Sequence, residues 1–176
     1  IGDGQGEFKN YLTTINRQIK DIENLVNEFS SFARMPQPIL KKIDIVKIIK
    51  RSIDFYKMSS SNLFQFDMGK KIIFIQGDED QLYRVFINLI KNSEDSLAEK
   101  KEKNKEFKGK IEVVINENRE YIVIELMDNG IGIKDTKKIM TPYFTTKKDG
   151  TGLGLPIVNK IINEHSGEIS FKNLNP

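Results

Sequence analysis

The sequence predicts an α+β protein: a two-layer α/β sandwich preceded by one long helix of a bundle. Three observations carry that expectation. Apolar residues recur at steps of four and three from Phe8 to Ala33, and the prolines Pro36 and Pro38 then end the pattern. Beyond the prolines, short strand-like runs alternate with amphipathic helical ones. The division falls between residues 1–36 and residues 37–176. A chain of 176 residues, 38% hydrophobic and 30% charged, has room for one good-sized folded domain with an appendage.

Taken in order, residues 1–7, "IGDGQGE", are glycine-rich and read as a turn or frayed end. The helix that follows has Phe8, Leu12, Ile15, Ile19, Ile22, Val26, Phe29 and Ala33 on one seam, a 3.5-residue period that keeps one face toward a partner helix. Tyr11, Leu25 and Phe32 widen the stripe to the breadth of a bundle face. A single helix cannot cover such a stripe, so its partner is expected outside this segment. "ILKKIDI" is a short strand, and "VKIIKRSIDFYKM" is an amphipathic helix with Asp44 placed to cap it. "NLFQFDM" and "KIIFI" read as strands joined at Gly69. Asp78 caps a long helix from about Glu79 to Glu99, burying Leu82, Val85, Phe86, Leu89 and Ile90. "KIEVVINE" and "EYIVIELMD" form a hairpin turning at "NENR". A last helix spans about Gly154 to Glu164, and "GEISFKN" starts a strand.

Bulk composition excludes several functions. Net charge is +3, too balanced for a nucleic-acid surface, and the basic run Lys100–Lys110 carries two glutamates and reads as a solvated loop. Cysteine is absent, which removes disulfides, thiolate metal sites and cysteine catalysis. No run of eighteen apolar residues exists, so no membrane contact by this chain is expected. The first residue is Ile, so the sequence is expected to be cut from something longer, with a membrane anchor upstream left open.

Three short motifs carry chemistry. Asn88 and Asn92 are four apart, so they share one helix face beside the apolar one, as a functional pair or as satisfied core amides. Asp128 ends an apolar strand and is followed by "NGIG"; Gly130 and Gly132 permit positive φ and leave room for a flat ligand, although Asn-Gly is also a common turn pair. "GTGLGL", Gly150 to Leu155, immediately precedes a helix, where bare backbone N–H groups suit an anion. It is neither a Walker loop nor a dinucleotide fingerprint. Between the glycine clusters, "TPYFTTKKD" offers hydroxyls and lysines on a short loop suited to be a lid over phosphates.

In this order the motifs resemble the Bergerat ATP-binding fold shared by sensor histidine kinases, gyrase-type topoisomerases, a heat-shock chaperone and mismatch-repair ATPases. The likeness covers roughly residues 40–172. Position 88 is Asn where hydrolysing members carry a water-activating Glu, and an amide cannot be a general base. "DEDQLYRVFINLIKNSEDSL" and "IINEHSGEI" look like histidine kinase segments, and "INRQIKDIENLVNEFSSFARMPQP" is similar to the second dimerisation helix and linker of NtrY-type nitrogen-regulation kinases.

That resemblance implies ATP and Mg²⁺ as ligands. It gives Asp128 the adenine amino group and Asn92 the Mg²⁺, with Asn88 beside the phosphates or the metal. Gly130, Gly132 and Ile133 would line the adenine side; Thr146, Lys147 and Gly150, Thr151, Gly152, Leu153 and Gly154 would cover the phosphates. Phe144 would anchor the lid, and Lys91 would touch a phosphate or lie in solvent. It further implies γ-phosphate transfer to a histidine on a first dimerisation helix, relay to a response regulator receiver domain, and homodimerisation through the N-terminal helix. The domain would be cytoplasmic, in a parent anchored in the inner membrane. The one histidine, His165, lies beyond the ATP motifs and reads as a surface or helix-ending residue. The acceptor helix and a final strand are expected to lie outside this sequence. The other classes to weigh are a nucleotide-binding or dimerisation module without catalysis, and an ATP-hydrolysing clamp, which Asn88 disfavours.

Overall fold

The structure, a computed structural model, describes residues 4–66, 71–117, 120–147 and 150–174. The joint at Gly69, the second half of the "NENR" turn, Lys148 and Asp149 of the lid, and the Phe32 side chain lie outside the described residues.

Helix α1 runs from Gly4 to Ala33, so it begins inside the glycine-rich stretch expected to fray. A helix already nucleated propagates through a glycine at a cost of only about 1 kcal/mol. Its seam faces outward: Phe8 is 64%, Ile19 58% and Ile22 60% exposed.

Strand β1 (Lys41–Asp44) pairs antiparallel with β3 (Phe74–Gly77) in one small sheet. In the other sheet, β2 (Leu63–Gln65) lies parallel to β4 (Lys110–Glu117), and β4 lies antiparallel to β5 (Ile122–Asp128). The two strands expected on either side of Gly69 therefore belong to different sheets. The β4–β5 register sets Ile111 opposite Asp128 and Glu117 opposite Ile122, which delivers Asp128 to the end of the sheet. Along β4 the alternation is strict: Ile111, Val113 and Ile115 point inward.

Helices α2 (Ile45–Lys57), α3 (Glu79–Lys103) and α4 (Gly154–Glu164) cover the sheets. Their buried faces meet in one core, including Ile45, Ile49 and Ile53 from α2, Leu82, Val85, Phe86, Ile90 and Leu97 from α3, and Ile157, Val158 and Ile161 from α4, with Leu153 just before it. Leu89 is only half-buried.

Both expected aspartate caps form. Asp44 Oδ1 accepts from Val46 N at 3.1 Å, and Asp78 Oδ1 accepts from Gln81 N at 3.1 Å. Asp78 Oδ2 also accepts from Ile39 N at 2.9 Å. Burial pushes the Asp78 carboxyl upward, but the N–H donors of Ile39, Gln81 and Asp80 outweigh it and hold the group below its ordinary value.

α3 continues to Lys103, so the basic run expected as loop is helical in its first third. Lys100, Lys101 and Lys103 favour the negative end of the helix dipole, and Lys103 bonds Glu99 one turn back at 2.8 Å. α4 ends at His165 with Ser166 left-handed (φ 59°), Gly167 N donating to Ile162 O and Ser166 N to Asn163 O. His165 is half-buried rather than superficial. Its Nε2 accepts from Asp78 N at 2.9 Å, which leaves the proton on Nδ1 for the Ile161 carbonyl at 2.8 Å. No strand ladder includes residues 167–174, although "GEISFKN" alternates like a strand.

Candidate functional site

The site is built along one edge of α3, where Asn88, Asn92, Ser96 and Lys100 follow one another at four-residue steps. Each step advances about 6 Å along a helix, so the stripe is about 18 Å long. Together the four meet three parts of the chain, Ser96 and Lys100 sharing one turn.

At the C-terminal end the contact is with the turn after β5. Asp128 is half-buried and accepts three hydrogen bonds: Ser93 Oγ on Oδ2 at 2.9 Å, with Ser96 Oγ at 3.3 Å and Gly130 N at 2.9 Å on Oδ1. A carboxylate has about four lone-pair sites, so one acceptor position remains for a further donor. Ser96 Oγ also accepts from Ile131 N at 3.1 Å. Lys100 Nζ donates to the carbonyls of Asn129 at 2.6 Å and Gly130 at 3.0 Å. A Cβ on Gly130 would collide with Ser96 Oγ, so this turn needs glycine for space. Gly132 needs it for conformation, with φ at 72°.

In the middle, the lid crosses the helix. Lys147 Nζ donates to Asn92 Oδ1 at 2.8 Å and to Asp95 Oδ2 at 2.7 Å. The two oxygens thus converge on the ammonium, and Asn92 Oδ1 is a neutral oxygen of the kind that suits a hard cation. Among the described residues no cluster of three His, Cys, Asp or Glu side chains could hold a metal alone. A cation here would complete its shell with phosphate and water oxygens, as Mg²⁺ commonly does.

At the N-terminal end, Asn88 Nδ2 donates to the Arg84 carbonyl at 2.8 Å. Its Oδ1 faces the start of α4, 3.1 Å from where a Cβ on Gly154 would stand. Unlike α2 and α3, α4 has no side-chain cap: its N-cap is Leu153, fully buried. Its first N–H groups therefore suit an anion. The lid is pinned at its base by Tyr143 N donating to Gly152 O at 3.1 Å. Gly152 has φ 70°, and a Cβ there would lie 2.8 Å from Phe144 N. Thr151 Oγ1 accepts from Leu153 N at 3.4 Å, and Gly150 N donates to the Lys147 carbonyl at 3.3 Å.

The structure therefore gathers Asn88, Asn92, Asp128, Gly130, Lys147 and the Gly150–Gly154 segment around α3. Ile133 is tied into the same turn from its far side. Phe144 is half-buried at the lid base, while Lys91 and Thr146 are exposed. Ser93, Asp95, Ser96, Lys100 and Asn173 are additions. A shallow groove of about 500 Å³ lies elsewhere, between the start of the lid and the outer face of α4, lined by Met140, Pro142, Pro156, Asn159, Lys160, Asn163 and Glu164. None of the site residues lines it; the cleft along α3 is crossed by Lys147 instead.

Comparison with known proteins places the fold in a family. Residues 77–175 match the family of histidine kinase-, DNA gyrase B- and HSP90-like ATPases. The chain is 35% identical over 172 residues to an NtrY-like sensor histidine kinase of Rickettsia prowazekii (strain Madrid E), covering 96% of this chain and 28% of that protein. It is 33% identical over 168 residues to the nitrogen regulation protein NtrY of Azorhizobium caulinodans, covering 94% of this chain and 22% of the relative. It thus spans about a quarter of the length of these curated relatives. Among solved structures, the catalytic domain of histidine kinase ThkA superposes with a TM-score of 0.67 at 26% identity, over 77% of this chain and 88% of that one. Full-length ShkA in complex with AMPPNP shares the fold at a TM-score of 0.68 and 18% identity, over 94% of this chain and 37% of that one. With an uncapped helix and a glycine-rich lid facing a polar stripe on α3, the chain belongs to the histidine kinase-, DNA gyrase B- and HSP90-like ATPase family, as an ATP-binding catalytic domain of the sensor histidine kinase type.

Proposed function

We propose that this domain binds Mg-ATP along the edge of α3 and presents the γ-phosphate to a histidine outside this sequence, for relay to a response regulator receiver domain. The observation that carries the reading is the polar stripe itself, which meets an aspartate turn, a lysine-bearing lid and an uncapped helix start in succession. Asp128 would accept from the adenine amino group, with Gly130, Gly132 and Ile133 lining that end. Lys147 would leave Asn92 and Asp95 for a phosphate, and the N–H groups from Gly150 to Gly154 would hold phosphate oxygens. Thr146 and Thr151 would add hydroxyls, Phe144 would hold the lid down, and Lys91 would stand at the rim. Asn92, with Asn88 beside it, would hold Mg²⁺, which would offset phosphate charge. Asn88 offers no general base, so the arrangement favours transfer over water attack. Residues 1–36 would be the second helix of a dimerisation and phosphotransfer domain, pairing with a second copy, and residues 37–176 the catalytic domain. The domain would work in the cytoplasm without contacting nucleic acid or membrane.

The test is calorimetric titration of AMP-PNP with Mg²⁺ into the chain and into Asp128→Asn. A charge-assisted hydrogen bond is worth about 1.5–3 kcal/mol, so the variant is expected to bind roughly 10- to 150-fold more weakly. Equal affinities would remove Asp128 from the adenine end. Absence of binding by the unmutated chain would favour a module that does not use nucleotide.

A further inference from the structure

The turn from Asp128 to Ile133 is held from two sides. Its first half is tied to α3, through Ser93, Ser96 and Lys100. Its second half is tied to a segment forty residues away in sequence. Asn173 Oδ1 accepts from Ile133 N at 2.8 Å, and Asn173 Nδ2 donates to Ile133 O at 2.8 Å. One side-chain amide thus satisfies both backbone groups of a single residue, as a neighbouring strand would.

Gly132 stands just before this contact. Its φ is 72°, and a Cβ there would lie 2.9 Å from Asn173 Oδ1. The left-handed glycine lets the chain present Ile133 N–H and C=O side by side toward Asn173. Asn173 itself is exposed, so the two bonds are not a by-product of core packing. An exposed amide making two 2.8 Å bonds restrains a loop that has no strand or helix of its own.

We propose that Asn173 is a positioning residue for the nucleotide, fixing the adenine-side turn so that Gly130, Gly132 and Ile133 form a preset wall. This rests on the reading of Asp128 as the adenine acceptor. Without the clamp the turn stays attached to α3 through residue 131 but loses its hold at residue 133, so purine binding must first order the loop. The triphosphate end, built from Asn92, Lys147 and the start of α4, does not share this restraint.

The experiment compares the unmutated chain with Asn173→Ala and Asn173→Asp, measuring dissociation constants for Mg-AMP-PNP and for Mg-tripolyphosphate, which has no base. Asn173→Ala is expected to weaken AMP-PNP binding about tenfold, the size of two modest hydrogen bonds partly expressed as ordering, while tripolyphosphate binding changes less than about twofold. Asn173→Asp keeps the acceptor for Ile133 N but loses the donor, and should weaken AMP-PNP binding selectively as well. Hydrogen exchange gives a direct readout: Ile133 N–H should exchange faster in Asn173→Ala, with α3 and β4 amides unchanged. Unchanged AMP-PNP affinity, or equal losses for both ligands with a lowered melting temperature, would overturn the positioning role. An AMP-PNP loss from Asp128→Asn alone would leave the adenine reading standing and remove the clamp. If the unmutated chain takes neither ligand, both proposals go together.

Discussion

Replacing Lys147 with methionine removes the ammonium that bridges Asn92 and Asp95, and its consequence differs in the two states of the site. Without nucleotide, Lys147 Nζ lies 2.7 Å from Asp95 Oδ2, with the two side chains 39% and 40% exposed. A pair this open is worth about 0.2–1 kcal/mol, so the melting temperature should fall by less than about 4 °C. With nucleotide, the same ammonium would face a phosphate, a charge-assisted contact worth about 1.5–3 kcal/mol gross. Leaving Asp95 costs part of that, so the net loss in Lys147→Met is about 1–2 kcal/mol, or roughly 5- to 30-fold in the dissociation constant of Mg-AMP-PNP. Asp95→Asn should act in the opposite direction. It weakens the hold on Lys147 and leaves the lysine available, so binding should tighten by about 1.4- to 5-fold. Isothermal titration at about 50 mM and 500 mM salt separates the two, because an exposed pair is screened and the gain in Asp95→Asn should shrink at high salt. If both variants weaken binding to the same extent, Asp95 belongs to the ligand shell and the competition between Asp95 and phosphate for Lys147 is wrong.

Two further outcomes are expected. Asp78 caps α3 and takes the Ile39 N–H, and its carboxyl titrates below the ordinary value. Its contribution is therefore complete above the ordinary carboxylate range, near pH 4, and is lost as pH falls through the lowered folded value. Asp78→Ala should cost about 1–2 kcal/mol at pH 7 in urea unfolding, with the difference from the unmutated chain shrinking below about pH 4; a constant difference across that range would refute the linkage. On α1, Ile19 is 58% exposed. Ile19→Glu should leave the melting temperature of residues 37–176 unchanged while abolishing any dimer seen by sedimentation equilibrium, since burying an isoleucine contributes about 1.5–3 kcal/mol per copy; a dimer unaffected by Ile19→Glu would place the interface elsewhere.

What was legible in the sequence was local. The caps Asp44 and Asp78, the bounds of α4 and the β4–β5 hairpin follow from patterns that close within one or two turns of chain. Asp128 and its glycines were readable for the same reason. Partners of Asp128 were not, because Ser93 and Ser96 lie 35 and 32 residues from it, and nothing in a lone serine announces that distance. A signal was nonetheless present: extending the Asn88–Asn92 face by the same step reaches Ser96 and then Lys100, and the intermediate three-residue step from Asn92 reaches Asp95. Asn173 had no such signal, since its bonds to Ile133 depend on a turn whose shape Gly132 sets. The opposite failure occurred at "GEISFKN", where period-two alternation was real but no ladder forms, because alternation alone does not fix backbone pairing.

A single helix edge that meets every part of the site also constrains how the site can vary. Successive members of the stripe are separated by the fixed rise of α3, so the spacing between the Asp128 turn and the start of α4 is set by the helix and not by the loops. The lid can change length or sequence between Tyr143 and Gly152, because the Tyr143 N–Gly152 O bond closes its base whatever lies between. A side chain on α3 cannot be exchanged so freely. Asn88 sits one turn before Asn92, with its carbonyl oxygen directed at Gly154 and its Nδ2 donating to the Arg84 carbonyl. Under the proposed function, the side-chain type at that one step of the stripe would decide whether water is activated. The amide found there accepts no proton at neutral pH, so under the proposed function it would not activate water against the phosphate.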